Sequence, residues 1–82
     1  MVERRAKGAS RRAGIQSIEV GARLLRALAD SPSALPLKEL AASAGMSMSK
    51  AHRYLVSLGR AGLVIQHGET GRYDLGALAL GL

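Results

Sequence analysis

The sequence predicts a mainly α-helical domain closed by a small β-hairpin, and three observations predict it. Apolar residues recur at helical spacing in three successive segments between residues 17 and 60. Gly45 stands where the second of these patterns stops and just before the third begins. After Gly62 the period shortens from helical to alternating, around the turn cluster Gly68-Glu69-Thr70-Gly71. Helix, helix, tight turn, helix and hairpin, in that order, make a winged helix-turn-helix.

Residues 1–14 mix Arg, Ala, Gly and Ser and have little to bury, so packing does not recover the entropy of ordering them. They are expected to form a flexible basic arm. Ser17 is read as the N-cap of the first helix, with Glu19 in its first turn and an inward face of Ile18, Ala22, Leu25, Leu28 and Ala29. Asp30-Ser31-Pro32-Ser33 ends that helix, because proline cannot continue the hydrogen-bond ladder. Pro36 suits the first turn of the second helix, whose face is Leu37, Leu40, Ala41 and Ala44. Gly45 supplies the left-handed residue that closes it. Ser47 then caps a third helix with the stripe Met48, Ala51, Leu55 and Leu58, and Tyr54 at its border. Leu63, Val64 and Ile65 form the outgoing strand, and Arg72 to Leu75 the returning one, where Tyr73 and Leu75 alternate with Arg72 and Asp74. Residues 76–82 begin another helix-prone stretch. The organisation expected is therefore an arm (1–14), a winged helix-turn-helix (15–75) and the start of a linker helix (76–82).

With 82 residues, 48% of them hydrophobic, the chain has room for one core. It has no cysteine, so neither disulfides nor thiolate metal sites hold it together, and this composition fits a reducing cytoplasm. The first fourteen residues lack the apolar centre of an export signal, and no uncharged apolar run is long enough for a membrane span. Lys and Arg number 12 against 6 Asp and Glu, a net charge of +6. In the arm, Arg4, Arg5, Lys7, Arg11 and Arg12 oppose Glu3 alone. An acidic partner is implied. Nucleic acid suits a basic tail on a moderately basic domain, although an anionic membrane surface or plain solubility accounts for the same sum.

A helix-turn-helix needs small residues where its helices meet, and Ala41 and Ala51 lie on either side of Gly45 for that purpose. At ~100° per residue, turning Ala51, Leu55 and Leu58 inward sends Ser49, Arg53, Val56 and Arg60 outward, flanked by Lys50, His52 and Ser57. That face carries no acid. Arg53 and Lys50 can donate to phosphate or guanine edges, Ser49 to either, and His52 to a base or a phosphate. An ordinary three-helix bundle satisfies the same spacing, and a solvated basic face is common. The coincidence of this face with a turn, an arm and a hairpin favours nucleic acid. Arg72 and the hairpin tip can reach the neighbouring groove or backbone, with Glu69 opposing that contact, and Arg11 and Arg12 of the arm complete the candidate set. His52 and His67 lack metal-ligand spacing and a carboxylate cluster, so no metal or other cofactor is expected. No Ser, His and acid constellation suggests catalysis. Without Phe or Trp there is no aromatic platform for single strands, which favours duplex DNA over RNA. The alternative of another class is a winged helix that docks an acidic protein.

Four stretches of the chain resemble the IclR family of bacterial transcription regulators. They are Gln16-Ser17-Ile18-Glu19, Leu37-Lys38-Glu39-Leu40-Ala41, Ser49-Lys50-Ala51-His52-Arg53-Tyr54-Leu55 and Thr70-Gly71-Arg72-Tyr73-Asp74-Leu75-Gly76. Together they cover nearly everything after the arm, and their order and separation are more specific than any one of them. The resemblance implies a DNA-binding head with Ser49, Lys50, His52 and Arg53 at DNA-facing positions, acting as a repressor or activator of metabolic genes. It also implies a homodimer or tetramer on short palindromes. A small organic effector would be sensed by a C-terminal half outside these residues, reached through the segment beginning at Gly76. The sequence departs from the family pattern in four places. Val20 stands where Arg is usual, Gly21 where Ala is usual, Ser47 for Pro and Lys50 for Thr. The glycine costs ~1 kcal/mol inside a helix, which predicts either unusually close packing or a changed role for the first helix. The changes at Ser47 and Lys50 prevent the operator sequence from being carried over from relatives.

Overall fold

A computed structural model describes residues 14–81 of the chain. Most of the expected arm, with Arg11 and Arg12, therefore lies outside the described residues. The elements run α1 (Gln16–Asp30), α2 (Leu37–Ala44), α3 (Met48–Arg60), β1 (Val64–Gln66), β2 (Tyr73–Leu75) and α4 (Ala77–Leu80). The expected mainly helical fold with a two-stranded antiparallel hairpin is the one observed.

Helix α1 differs from the expectation at its start and in its rotation. Ile15, not Ser17, is the N-cap, and no side chain caps the helix. The Ile15 carbonyl accepts from both Ile18 N–H and Glu19 N–H at 3.1 Å, which places Ser17 inside the first turn. The buried residues are Val20, Gly21, Leu24 and Leu28, whereas Ile18, Ala22 and Ala29 are exposed. The inward face is thus turned by roughly the angle of one residue, ~100°, from the predicted one. The cause is that α1 is apolar over more than half its circumference, and α3 passes over Gly21 with a Leu58 methyl 3.6 Å from where a Cβ would stand. That distance is ordinary contact. Helix α1 does not need glycine there.

Helices α2 and α3 form the helix-turn-helix. Pro36 is the N-cap of α2, one residue ahead of the first-turn position expected. Gly45 closes α2 with φ 72°, and Met46 N–H then returns to the Ala41 carbonyl at 3.0 Å, a helix end that a left-handed residue makes possible. Ser47 caps α3 as expected, its Oγ accepting from Lys50 N–H at 3.1 Å. Met48, expected inward, is half exposed, and Met46 from the turn packs on that part of the core instead.

The core gathers Leu24 and Leu28 of α1, Leu40, Ala41 and Ala44 of α2, Ala51 and Leu55 of α3, and Val64 and Tyr73 of the hairpin. Strands β1 and β2 pair with Val64 opposite Leu75 and Gln66 opposite Tyr73. Leu35 adds a rung that the sequence did not foretell: its N–H donates to the Tyr73 carbonyl at 2.9 Å, and its carbonyl accepts from Tyr73 N–H at 2.7 Å. The loop before α2 is thereby stitched to the wing. Past β2 the chain crosses the end of α3 at backbone distance. Gly76 N–H donates to the Leu63 carbonyl at 2.8 Å, Leu78 N–H donates to the Gly62 carbonyl at 3.1 Å, and a Cβ on Gly76 would collide with the Gly62 carbonyl oxygen.

Candidate nucleic-acid interface

Helix α3 spans 13 residues, about 20 Å at the standard rise, with its N-terminus fixed by the Ser47 cap and its inner face locked by Ala51 and Leu55. Locking the inner face sets where the outer one points. Ser49, Arg53, Val56 and Arg60 are all exposed, as the wheel predicts, and no carboxylate interrupts them on the helix. Lys50 is half-buried. His52 and Arg60 line the groove between α3 and the hairpin, together with Val56 and Gln66. Ser57 lies on the opposite flank, where it shares a shallow depression with Arg53 and Tyr54 and another with Ser17 and Ile18 of α1. The structure therefore joins Ser49, Lys50, His52, Arg53 and Arg60 on one helix surface and sets Ser57 at its edge.

Arg72 stands apart from that cluster. Its Nη1 donates to the Ala34 carbonyl at 3.3 Å and its backbone N–H to Thr70 Oγ1 at 3.1 Å, at the base of the wing. The wing tip is ordered by Gly71 N–H to the His67 carbonyl at 2.8 Å and by the Gln66 side-chain amide to the Gly71 carbonyl at 3.0 Å. One anchoring residue escaped the sequence reading. Arg23 of α1 donates from Nε to the Ala44 carbonyl at 3.1 Å and from Nη2 to the Gly45 carbonyl at 3.4 Å. It meets the negative end of α2, which has no basic residue in its own last turn, and so clamps the turn that aims α3. Its position on the polar side of α1 resembles any solvated arginine, and only the tertiary fold shows the contact.

Among the described residues no polar or charged side chain is buried, no group of three His, Asp or Glu side chains is placed to hold a metal, and no helix is long and apolar enough to cross a membrane. A capped helix presenting cations beside a hairpin, with its aim fixed by a glycine turn, defines a winged helix-turn-helix DNA-binding domain. Residues 17–68 match the IclR helix-turn-helix domain, and the chain belongs to that family. The matched region is a helix-turn-helix DNA-binding domain of the kind found in IclR-type transcription regulators.

The chain is 45% identical over 69 residues to the glycerol operon regulatory protein of Streptomyces griseus, covering 82% of this chain and 27% of that protein. It is 40% identical over 65 residues to the transcriptional repressor IclR of Escherichia coli, covering 79% of this chain and 24% of that one. The crystal structure of HmgR from Pseudomonas aeruginosa superposes with a TM-score of 0.78 at 43% identity, over 82% of this chain and 28% of that chain. The chain thus spans about a quarter of the length of these relatives.

Proposed function

We propose that the chain binds double-stranded operator DNA sequence-specifically, laying the N-terminal half of α3 in the major groove. The observation that carries this is the exposed, acid-free surface of α3 on a helix whose aim is fixed from three sides by Ser47, Gly45 and Arg23. Ser49 and Arg53 stand where base edges would lie, and Lys50, Ser57 and Arg60 where they would meet phosphates. His52 and the wing share the adjoining groove, and Arg72, Arg11 and Arg12 add backbone contacts. In this reading residues 15–75 are the DNA-binding unit, 1–14 a basic arm, and 76–82 the first part of a linker to an effector-binding domain outside this chain. The regulator acts in the cytoplasm as a homodimer or tetramer on a palindrome that controls metabolic genes.

Selecting bound sites from a random duplex pool, followed by gel shift on the selected site, tests this. Arg53→Ala is expected to weaken the selected site by about 1 to 3 kcal/mol while leaving binding to random duplex nearly unchanged. Equal affinity of the substituted and parent chains for the selected site refutes base reading by Arg53. Failure of any duplex to retard the chain at low salt refutes the proposal and favours a protein-docking winged helix.

A further inference from the structure

Helix α3 begins with a large apolar residue that the core does not use. Met48 opens the stripe that continues through Ala51, Leu55 and Leu58, yet it is 48% exposed, because Met46 packs against the core from the turn before it. The Ser47 cap and the Met46 N–H to Ala41 carbonyl bond fix the backbone on which both methionines stand. A helical side chain leans back toward the N-terminus of its helix, so that of the first residue reaches past the end of α3 rather than over the core. Its neighbours on this surface are polar. Ser49 is exposed, Lys50 is half-buried, and His52, one turn on along the same ridge, is exposed. An apolar side chain thus leads the half of α3 that the proposal above lays in the major groove.

We infer that Met48 reads the 5-methyl group of a thymine in the operator. The inference rests on the major-groove reading above and adds an apolar contact to its polar ones. Base edges in that groove present donors, acceptors and a single kind of apolar group, the thymine methyl. A thioether has no proton to donate and is a weak acceptor, so the hydrogen-bonding edges return little for the water that it would displace. Against a methyl, both partners leave water favourably. The unbranched side chain, with three rotatable bonds, can follow that methyl while the capped backbone stays fixed. Val56 is the other exposed large apolar residue of α3. It stands roughly 12 Å further along the axis at the standard rise, in the half of the helix outside the groove, and so serves as the comparison.

Uracil scanning of the selected site tests the assignment. Each thymine in turn is replaced by deoxyuridine, which removes the methyl and keeps the hydrogen-bonding edge, and the affinity of the 82-residue chain is measured by gel shift. At one thymine position the parent is expected to lose about fourfold in affinity, the worth of one buried methyl. Met48→Ala should lose the same factor on the thymine site, bind the uracil site as the parent does, and melt like the parent. Val56→Ala should keep the parent's ratio of thymine to uracil affinity. A parent ratio near one at every position, or a ratio that survives Met48→Ala, overturns the inference and leaves the major-groove reading standing on the selected site. Equal weakening of both sites by Met48→Ala overturns it too, since a purely structural residue acts that way. A ratio abolished by Val56→Ala alone moves the methyl contact away from Met48 and so overturns the assignment. Failure of every duplex to retard the parent chain overturns both readings together.

Discussion

Gly21 and Gly76 are both buried glycines, and the structure predicts opposite signs for their replacement by alanine. Gly21 lies inside α1 with ordinary helical neighbours, and the nearest atom to an added Cβ is the Leu58 methyl at 3.6 Å. Alanine there recovers the helix-propensity deficit, about 0.8 to 1 kcal/mol, and adds one buried methyl worth up to about 0.8 kcal/mol. The expected gain is about 1 to 2 kcal/mol, which for a domain of this size raises Tm by roughly 4 to 8 °C per kcal/mol. Gly76 sits where two backbones cross, and an added Cβ would overlap the Gly62 carbonyl oxygen and approach its carbon to 3.0 Å. Neither neighbour is a side chain that can swing aside, so the crossing must open at the expense of the Gly76-to-Leu63 and Leu78-to-Gly62 hydrogen bonds. A loss of about 1 to 3 kcal/mol follows, the range for strained small-to-large changes. Urea unfolding followed by circular dichroism measures both from the shift in midpoint at constant m. A destabilised Gly21→Ala would refute the ordinary spacing between α1 and α3, and a neutral Gly76→Ala would refute the tight crossing.

Three further outcomes are expected. Arg23→Ala should lower stability by about 1 kcal/mol, the discounted value for a partly exposed charged donor, and should weaken DNA binding without changing its salt dependence; a reduced salt slope would mean that Arg23 touches phosphate rather than clamping the turn. Ser47→Ala removes the only side-chain cap seen among the described helices and should cost about 0.5 to 2 kcal/mol in the same unfolding assay. Deleting residues 1–14 should flatten the plot of log affinity against log salt by about 0.9 for each arm cation that meets phosphate, and parallel plots would show that the arm stays off DNA.

The elements legible in the sequence are those with a local chemical cause. Gly45 ends α2 because its left-handed angle suits no other residue so well, and Ser47 starts α3 because its hydroxyl can take an orphan N–H. The outward set on α3 follows from the same logic, since only one arc of that helix is apolar. Helix α1 defeated the reading because two apolar arcs adjoin, and spacing does not say which of them meets the core. Leu24, wholly buried, was missed while Ile18 was placed inside. Long-range backbone pairing was invisible for a different reason. The Leu35 rung and the Arg72 and Arg23 anchors join residues 38, 38 and 21 positions apart and leave no periodic trace.

The crossing at Gly76 has a mechanical consequence. Two amides of the segment entering α4 grip the stretch that links the recognition helix to the first wing strand, with no flexible side chain in between to absorb displacement. A torque applied beyond Leu80 is therefore delivered to reader and wing together, at their common root. The domain would be steered on DNA as one rigid key rather than bent at a joint.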